Sequence, residues 1–360
     1  MSVWVSPSAG LFPNSFYPMR PSPLTLAITL TLSTAASASG FDPQHLQQLQ
    51  STGRCPGCDL RDAEIQNLTL EDADLTGADL RGATIRDSSL VGTDFSQAAL
   101  IGTTFQNVNL RRSHFFQTRL RNSKFSNVNF IGATIRESWL RGANLAGADL
   151  RGATIRQLVL READLSGANL SGLQLQGSQF MAADLTRANL TGATAIRANF
   201  QGATLDGVGA SEVNFTGASF QDAQVRQADF YGANLSAVNS NGADWTGSIL
   251  AGTNLRGASF QRAIATNVNL QRAIATSSNW TDANLTGSSL YRGNFGASIL
   301  RSLNLSNTDL RQANFGGSQL ADADFSNANV ERAYFFGANL DGSNFVSTVG
   351  GDRARFVTLP

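Results

Sequence analysis

Large apolar residues recur at almost every fifth position from Leu60 to Phe345, and no insertion or deletion shifts their phase. A small residue stands two positions before most of these centres, and Asp or Asn often stands one position before. Gly often stands two positions after the centre. Segment 143–150 (Ala-Asn-Leu-Ala-Gly-Ala-Asp-Leu) shows two consecutive units. The chain is therefore built from a five-residue repeat.

A period of five matches neither the 3.6-residue period of an α-helix nor the two-residue period of a β-strand. The chain must turn after each unit if the apolar stripe is to stay inside. Four units would close a coil of about twenty residues, and coils would stack at the strand spacing of about 4.8 Å. We predict an all-β, four-sided parallel β-helix with inward-pointing centres. Outside, Asp and Asn bond the turn backbone, and Gly accepts strained angles.

Five units lack a large centre, and all five lie in one stretch of the chain: Ala195, Ala210, Ser240, Ala265 and Ala275. A missing centre would cost about 2 to 5 kcal/mol if nothing filled the hole, so we expect compensation. A local slip could turn three neighbouring isoleucines inward, namely Ile196, Ile264 and Ile274. Trp245 and Trp280 could also fill space nearby. The stretch is either a tolerated imperfection or a deformable group of coils that a partner grips.

Residues 1–38 are predicted to be a signal peptide. After Arg20 the chain is uncharged from Leu24 to Leu32, and small residues follow up to Ala38. This order matches a secretory signal, with cleavage expected after Ala38. The apolar run is short for a membrane span, so a retained anchor is the weaker alternative; Met19 could be the true start. We expect the mature protein in the periplasm or the thylakoid lumen.

Residues 39–57 are predicted to form a short helical cap and a leading turn. Asp42 can cap a helix, Pro43 suits its first position, and Gly53 can end it. A polar cap is needed because a solenoid end exposes unpaired strand edges and apolar core.

The repeat resembles the pentapeptide-repeat family, whose unit is written A(D/N)LXX. The resemblance covers residues 58–348, about fourteen coils of a solenoid, and leaves residues 349–360 as a C-terminal tail. It implies a right-handed quadrilateral parallel β-helix. The segment from Cys55 to Leu60 (Cys-Pro-Gly-Cys-Asp-Leu) is also similar to the lead-in of exported cyanobacterial members, in which a short helix precedes it.

Cys55 and Cys58 are the only cysteines of the chain. Export would place them in an oxidising compartment, where a disulfide between them is expected. Their two-residue spacing also occurs in thioredoxin-like redox motifs, but no βαβ pattern surrounds it. Cys58 occupies an inward small position, so plain packing is the remaining alternative.

The residue types that enzymes use are sparse or are placed by the repeat. The two histidines, His45 and His114, belong to no cluster with metal-ligand spacing. No Gly-X-Ser-X-Gly nucleophile turn occurs. Acidic residues such as Asp74 and Asp79 recur as turn residues rather than as a catalytic pair. We therefore predict no enzymatic activity, no cofactor and no small-molecule substrate.

The charge pattern indicates one local surface on an otherwise neutral chain, which has 27 basic and 27 acidic residues. Positions twenty apart would stack, which places five arginines in a ladder interrupted by Ile101: Arg61, Arg81, Arg121, Arg141 and Arg161. Arg111 and Arg151 would lie on the opposite side. Between residues 100 and 161 there are ten basic residues and two acidic ones. This surface either binds an anionic partner, such as lipid headgroups or an acidic protein, or is simply solvated.

These observations predict an exported, non-enzymatic structural or protein-interaction rod whose partner the sequence does not identify. The family resemblance implies an alternative, a cytoplasmic DNA mimic that protects DNA gyrase, although mimicry requires a strongly acidic rod. A second alternative is a basic-faced rod that binds an anionic membrane or cell-wall surface. Nucleic acid is not an expected partner, because the aromatic residues are periodic core residues rather than stacking platforms. The coil ends could serve for dimerisation.

Overall fold

The computed structural model describes residues 40–156 and 158–355, and the predicted signal peptide lies outside them. The described chain begins with helix α1 (Pro43–Thr52) and continues as a parallel β-solenoid. Its nine strands are short: β1 (Glu64–Gln66), β2 (Thr69–Glu71), β3 (Thr84–Arg86), β4 (Ser89–Val91), β5 (Thr104–Gln106), β6 (His114–Phe116), β7 (Lys124–Ser126), β8 (Thr134–Arg136) and β9 (Thr154–Arg156). A 3-10 turn (Gly351–Arg353) follows near the C-terminal end.

Paired strands are twenty residues apart, as in the parallel pairing of Ile65 with Ile85. Three sheets result, in the orders β1-β3-β5-β7, β2-β4 and β6-β8-β9. Beyond Arg156, single bridges continue the same spacing as far as the pair Asn329 and Val349. A spacing of twenty residues contains four five-residue units, so each coil has four sides. The predicted four-sided parallel β-helix is confirmed.

We name the four sides A to D in chain order. The first large centres are Leu60 on face A, Ile65 on face B, Leu70 on face C and Leu75 on face D. Strands β1, β3, β5 and β7 lie on face B, β2 and β4 on face C, and β6, β8 and β9 on face D. Face A is held by single bridges.

The turns between the sides follow from the residues around each centre. The residue two after the centre adopts a left-handed backbone, with φ of 68° at Gly77. In units such as the one centred on Leu75, the next amide bonds back to the carbonyl of the centre, at 3.1 Å from Ala78 N to Leu75 O, which is the pattern of a type II turn. The Asp before the centre accepts from the amide two residues later, at 3.1 Å from Thr76 N to Asp74 Oδ1. Gly and Asp therefore have the turn roles that the repeat predicts.

The interior is a column of the large centres. Where stacked centres are both Phe, their rings lie face to face, with centroids 4.9 Å apart for Phe105 and Phe125 and 4.8 Å apart for Phe180 and Phe200. The small residues two before the centres are mostly buried beside them. Each Å² of apolar surface removed from water contributes about 25 cal/mol, so this column is the main source of stability.

The five small centres stay in register, and the predicted inward turn of the isoleucines is wrong. Ile264 and Ile274 remain outside, 48% and 36% exposed, and Ile196 is half-buried. Each small centre instead lies one unit from an aromatic centre: Phe200, Phe215, Trp245, Phe260 and Trp280. Trp245 Nε1 donates to Ser240 Oγ at 2.7 Å. The aromatic side chains, including both predicted tryptophans, therefore occupy the space that the small centres leave.

Helix α1 packs against the N-terminal end of the solenoid core through the buried Leu49. Asp42 Oδ1 caps the helix by accepting from the Gln44 amide at 2.9 Å. The amide of Asp59 in the first coil donates to His45 Nδ1 at 3.0 Å. The predicted short helical cap is confirmed. No helix in the described part of the chain has the length and apolarity that a membrane crossing requires.

A candidate anion-binding face

Three arginines of the predicted set are each paired with the aspartate two residues earlier: Arg61 with Asp59, Arg81 with Asp79 and Arg151 with Asp149. The nitrogen-to-oxygen distances are 2.7, 2.6 and 2.7 Å. Hydrogen bonds from Arg61 lower the pKa of Asp59 to about 2. The pairs form because the residues before and after a centre both point outward from one turn. Their charges cancel, so these arginines are poor candidates for binding an anion.

The other ladder arginines line the corner between faces A and B in three successive coils. Arg141 Nη2 lies 2.9 Å from Glu162 Oε1. The hydrogen bond from Arg141 lowers the pKa of Glu162, and the charges of Arg161 and Arg121 lower it further. Within the described chain, Arg121 and Arg161 have no carboxylate within 4.0 Å. Arg111 lies at the opposite corner, between faces C and D.

A second pair of arginines flanks the other side of face A. Arg136 and Arg156 each directly follow a centre of face D. They occupy the same register position on the adjacent parallel strands β8 and β9. Between the two corners, Arg119, Trp139 and Val159 bridge one another across face A. Trp139 is 49% exposed. We call the six arginines around it the basic face: Arg119, Arg121, Arg136, Arg141, Arg156 and Arg161.

The basic face retains a strong excess of positive charge. Glu137 and Glu162 lie within it, and six guanidinium groups against two carboxylates leave a formal charge of +4. Glu137 Oε2 accepts a hydrogen bond from Gln117 Nε2 at 3.1 Å. Adjacent coils are about 4.8 Å apart, so the guanidinium groups repel one another at close range. An anionic group bound here would relieve that repulsion.

The parallel ladder is interrupted at one edge of the basic face. On face D the bridges reach Thr154 and resume at Gln174, which bridges Thr194, but no bridge joins Thr154 to Gln174. The other three faces are bridged at this level, for example between Val159 and Gln179 on face A. The interruption follows β9 and is confined to one side of the solenoid.

A cleft of about 530 Å³ opens at this interruption. Its lining residues are Arg136, Glu137, Ile155, Arg156, Gln174 and Gln176. The amides of Ile155 and Gln174 have no backbone acceptor in the described chain, whereas the neighbouring Leu175 amide bonds Thr194 O at 2.7 Å. Gln176 Nε2 donates to Gln174 Oε1 at 2.7 Å. The cleft therefore combines two guanidinium groups with two amides that have no backbone acceptor among the described residues.

Cys55 and Cys58 are joined by a disulfide, with Cα atoms 5.3 Å apart and both residues buried. The disulfide lies where α1 meets the first coil, several coils away from the basic face. Among residues 40–156 and 158–355, no three His, Cys, Asp or Glu side chains are grouped so that they could hold a metal ion.

Sequence reasoning located half of the basic face. It found the three arginines that share one ladder: Arg121, Arg141 and Arg161. It missed the four residues that complete the surface, which are Arg119, Trp139, Arg136 and Arg156. The signal in the sequence is the spacing of five residues between arginines that follow successive centres. Residues 136–141 cross face A from one corner to the other. Arginines that follow two successive centres therefore flank the same face.

The sequence profile of the pentapeptide-repeat family, described as Pentapeptide repeats (8 copies), matches successive segments between residues 54 and 349. HetL, a pentapeptide repeat protein involved in heterocyst differentiation regulation in the cyanobacterium Nostoc, is 27% identical over 60% of this chain and 86% of HetL, with a TM-score of 0.22. QnrB1, a plasmid-mediated fluoroquinolone resistance protein, is 20% identical over 50% of this chain and 92% of QnrB1, with a TM-score of 0.28. A pentapeptide repeat protein from the thylakoid lumen of Arabidopsis thaliana is 25% identical over 39% of this chain and 71% of that protein, with a TM-score of 0.12.

These TM-scores are too low to support any argument about function. No curated protein matches the chain. The family profile, in contrast, matches overlapping segments over nearly the whole solenoid. The chain therefore belongs to the pentapeptide-repeat family.

Proposed function

We propose that the protein is an exported, non-enzymatic interaction rod that docks an acidic partner protein through the basic face. Pentapeptide-repeat proteins are in general structural or interaction proteins rather than enzymes. The predicted signal peptide supports export. The disulfide between Cys55 and Cys58 suits an oxidising compartment, such as the periplasm or the thylakoid lumen.

The basic face carries the proposal. Five of its six arginines, all except Arg141, have no carboxylate within 4.0 Å among the described residues. The exposed Trp139 stands in the middle of these arginines. Arg and Trp are the side chains that most often dominate the binding energy of protein interfaces. Positive surfaces also attract acidic partners and orient them during association. An acidic protein surface could therefore form ion pairs with these arginines and pack against Trp139.

An anionic membrane or cell-wall surface is the second candidate for the same face. Proteins that lie on a bilayer usually bury a broad apolar surface among the lipids. The basic face offers one exposed aromatic residue, Trp139, with Val159 beside it. This small apolar area favours a protein partner over a bilayer, and the binding experiment below includes a vesicle measurement to distinguish them.

A DNA mimic that protects gyrase is not supported by this surface. Mimicry of DNA requires a strongly acidic rod, whereas this chain has a formal net charge of zero and a basic face. The likeness to QnrB1 concerns the fold alone, because the two chains are 20% identical.

The docking proposal is tested with two variants that carry matched substitutions. The face variant combines Arg119→Gln, Arg121→Gln, Arg161→Gln and Trp139→Ala. The control variant removes equal charge and one exposed aromatic elsewhere, through Arg187→Gln, Arg256→Gln, Arg301→Gln and Tyr231→Ala. A photo-crosslinking residue at position 159, beside the retained Trp139, first identifies the partner in the extracytoplasmic fraction of the native source. The dissociation constant of the purified partner is then measured at two salt concentrations.

The face variant should bind the purified partner about tenfold or more weakly, and its binding should depend less on salt. The control variant should bind like the unmodified protein. Equal binding by both variants would refute docking through the basic face. Loss of binding to phosphatidylglycerol vesicles in the face variant, with no crosslinked protein, would establish the membrane alternative instead.

Export is tested by the intact mass of the protein from its native source, measured without reduction. We expect a chain that begins at Ser39 and lacks the two thiol hydrogens of Cys55 and Cys58. A full-length, reduced product from the cytosol would refute export and would restore cytoplasmic partners to consideration.

A further inference from the structure

We propose that the cleft between β9 and the coil that follows it binds a carboxylate group. The donors are the guanidinium groups of Arg136 and Arg156 and the backbone amides of Ile155 and Gln174, which have no acceptor among the described residues. This site does not depend on the docking proposal, because a small carboxylate can enter the cleft whether or not the basic face binds a protein.

The interruption of the ladder is not a necessary consequence of ending a strand. Where β7 ends on face B, the Phe125 amide still bonds Asn144 O in the next coil at 2.8 Å. Where β4 ends on face C, the Leu90 amide bonds Asn109 O at 2.9 Å. The loss of this bond at Ile155 is therefore a local feature of the chain.

Unpaired amides at this position call for an acceptor. Ile155 is 3% exposed and Gln174 is exposed, and a backbone amide that lacks a protein acceptor bonds to whatever oxygen reaches it, from water or from a ligand. Gln176 binds the side chain of Gln174 rather than either amide. An oxygen-bearing anion in the cleft would supply the acceptor that the next coil provides elsewhere.

The two arginines give the cleft its preference for anions. Arg136 and Arg156 occupy equivalent positions on adjacent coils, and neither has a carboxylate within 4.0 Å in the described chain. Guanidinium groups bind carboxylates through two parallel hydrogen bonds. An anion bound beside both groups would also offset the repulsion between two like charges on adjacent coils.

The charge balance favours a carboxylate over a phosphate. Two guanidinium groups and the carboxylate of Glu137 leave a formal charge of +1 in the cleft, which a monoanion neutralises. Gln117 holds Glu137 in place through a hydrogen bond of 3.1 Å. A phosphate dianion would leave the cleft with an excess negative charge and would be repelled by Glu137.

The test follows the amide signals of Ile155 and Gln174 by NMR in deuterated, ¹⁵N-labelled protein during titration with sodium acetate. We expect saturable downfield shifts of both signals, and none with sodium chloride at equal ionic strength. The double variant Arg136→Gln/Arg156→Gln should bind acetate about tenfold or more weakly. The matched variant Arg256→Gln/Arg301→Gln, altered at the same position of the repeat, should bind like the unmodified protein.

Three results would overturn the proposal: equal shifts with chloride, unchanged acetate binding in the double variant, or tighter binding of inorganic phosphate than of acetate. A parallel titration with the peptide acetyl-Gly-Glu-Gly-amide separates the sources of the carboxylate. Matching shifts would identify a side chain of a protein partner, and shifts with acetate alone would identify a free acid. The face variant used for docking retains Arg136 and Arg156, so failure of docking and failure of this site are distinguishable.

Discussion

At the scale of single residues, each fully described unit has one left-handed position, and the side chain there decides how much strain the turn carries. Gly177 holds φ of 66° without a Cβ, whereas Ala182 holds φ of 53°. A left-handed backbone costs an L-residue about 1 to 2 kcal/mol, and the extra freedom of unfolded Gly costs about 0.5 to 1 kcal/mol. Strain therefore exceeds the entropy difference at such positions.

We expect Ala182→Gly to raise the free energy of unfolding by up to about 1 kcal/mol. Ala146→Gly is the control, because Ala146 has no positive φ and should lose about 0.5 to 1 kcal/mol through chain entropy alone. Chemical denaturation of both variants checks the prediction. A loss of stability in Ala182→Gly equal to that in Ala146→Gly would show that the turn carries no strain at Ala182.

The repeat predicted these residue roles well, because they depend only on neighbours in the chain. Gly at the turn and Asp before the centre act within one unit, as Gly77 and Asp74 do. Pairing between side chains was harder to foresee. Arg141 pairs with the carboxylate of Glu162 in the next coil, and the repeat alone does not show which neighbouring coil or unit each outward side chain contacts.

At the scale of one coil, large and small centres compensate each other across the solenoid. Phe260 stacks on Trp280 with ring centroids 4.2 Å apart and planes 6° apart, and Trp245 lies 5.7 Å from Phe260. Ala265 and Ala275 are fully buried in the same region. The small side chains therefore make room for the aromatic ones, and the five-residue register is kept.

Restoring the common leucine at such a position should therefore destabilise the protein. We expect Ala265→Leu to lower the free energy of unfolding by about 1 to 3 kcal/mol through overpacking. Leu290→Met, a substitution of similar volume at an ordinary centre, should cost less than about 1.5 kcal/mol. Calorimetry or denaturant titration measures both. A gain in stability from Ala265→Leu would mean that a cavity exists and that these coils are deformable after all.

The prediction that isoleucines turn inward was wrong because it left out contacts within and between coils. It considered only the residue next to each small centre, such as Ile264 beside Ala265. The filling side chains come instead from centres five and twenty residues away, which are neighbours only in the stacked coil. The helical cap was predictable because Asp42, Pro43 and Gly53 act locally in the chain.

At the scale of the whole molecule, charge is distributed by the geometry of four sides rather than by position in the sequence. The predicted ladder spans many coils, but Arg61 and Arg81 are neutralised by Asp59 and Asp79. The ladder arginines that have no carboxylate within 4.0 Å in the described chain, Arg121 and Arg161, lie instead in the coils around Trp139. The excess of basic residues between positions 100 and 161 indicates the region. Only the folded coils show which of these arginines share a face.

The solenoid is also uneven along its length, because each coil is held only by its two neighbours. On face D, no bridge joins Thr154 to Gln174, so the two coils at that level share fewer hydrogen bonds. In the coils with small centres, the same face keeps its bridges, as Ile274 pairs with both Asn254 and Asn294. Local opening begins where an interface has the fewest contacts. The weakest interface should therefore follow β9 rather than lie among the small centres.

Hydrogen exchange measured by mass spectrometry can locate this weak interface. We expect peptides covering residues 150–176 to exchange at a lower opening free energy than peptides covering residues 255–280, because the second region retains its ladder and its stacked aromatic core. Acetate should slow exchange in the first region alone if it occupies the cleft, since a ligand that binds only the closed form stabilises it. Earlier exchange in residues 255–280 would instead make the small-centre coils the soft part of the rod and would contradict the packing argument.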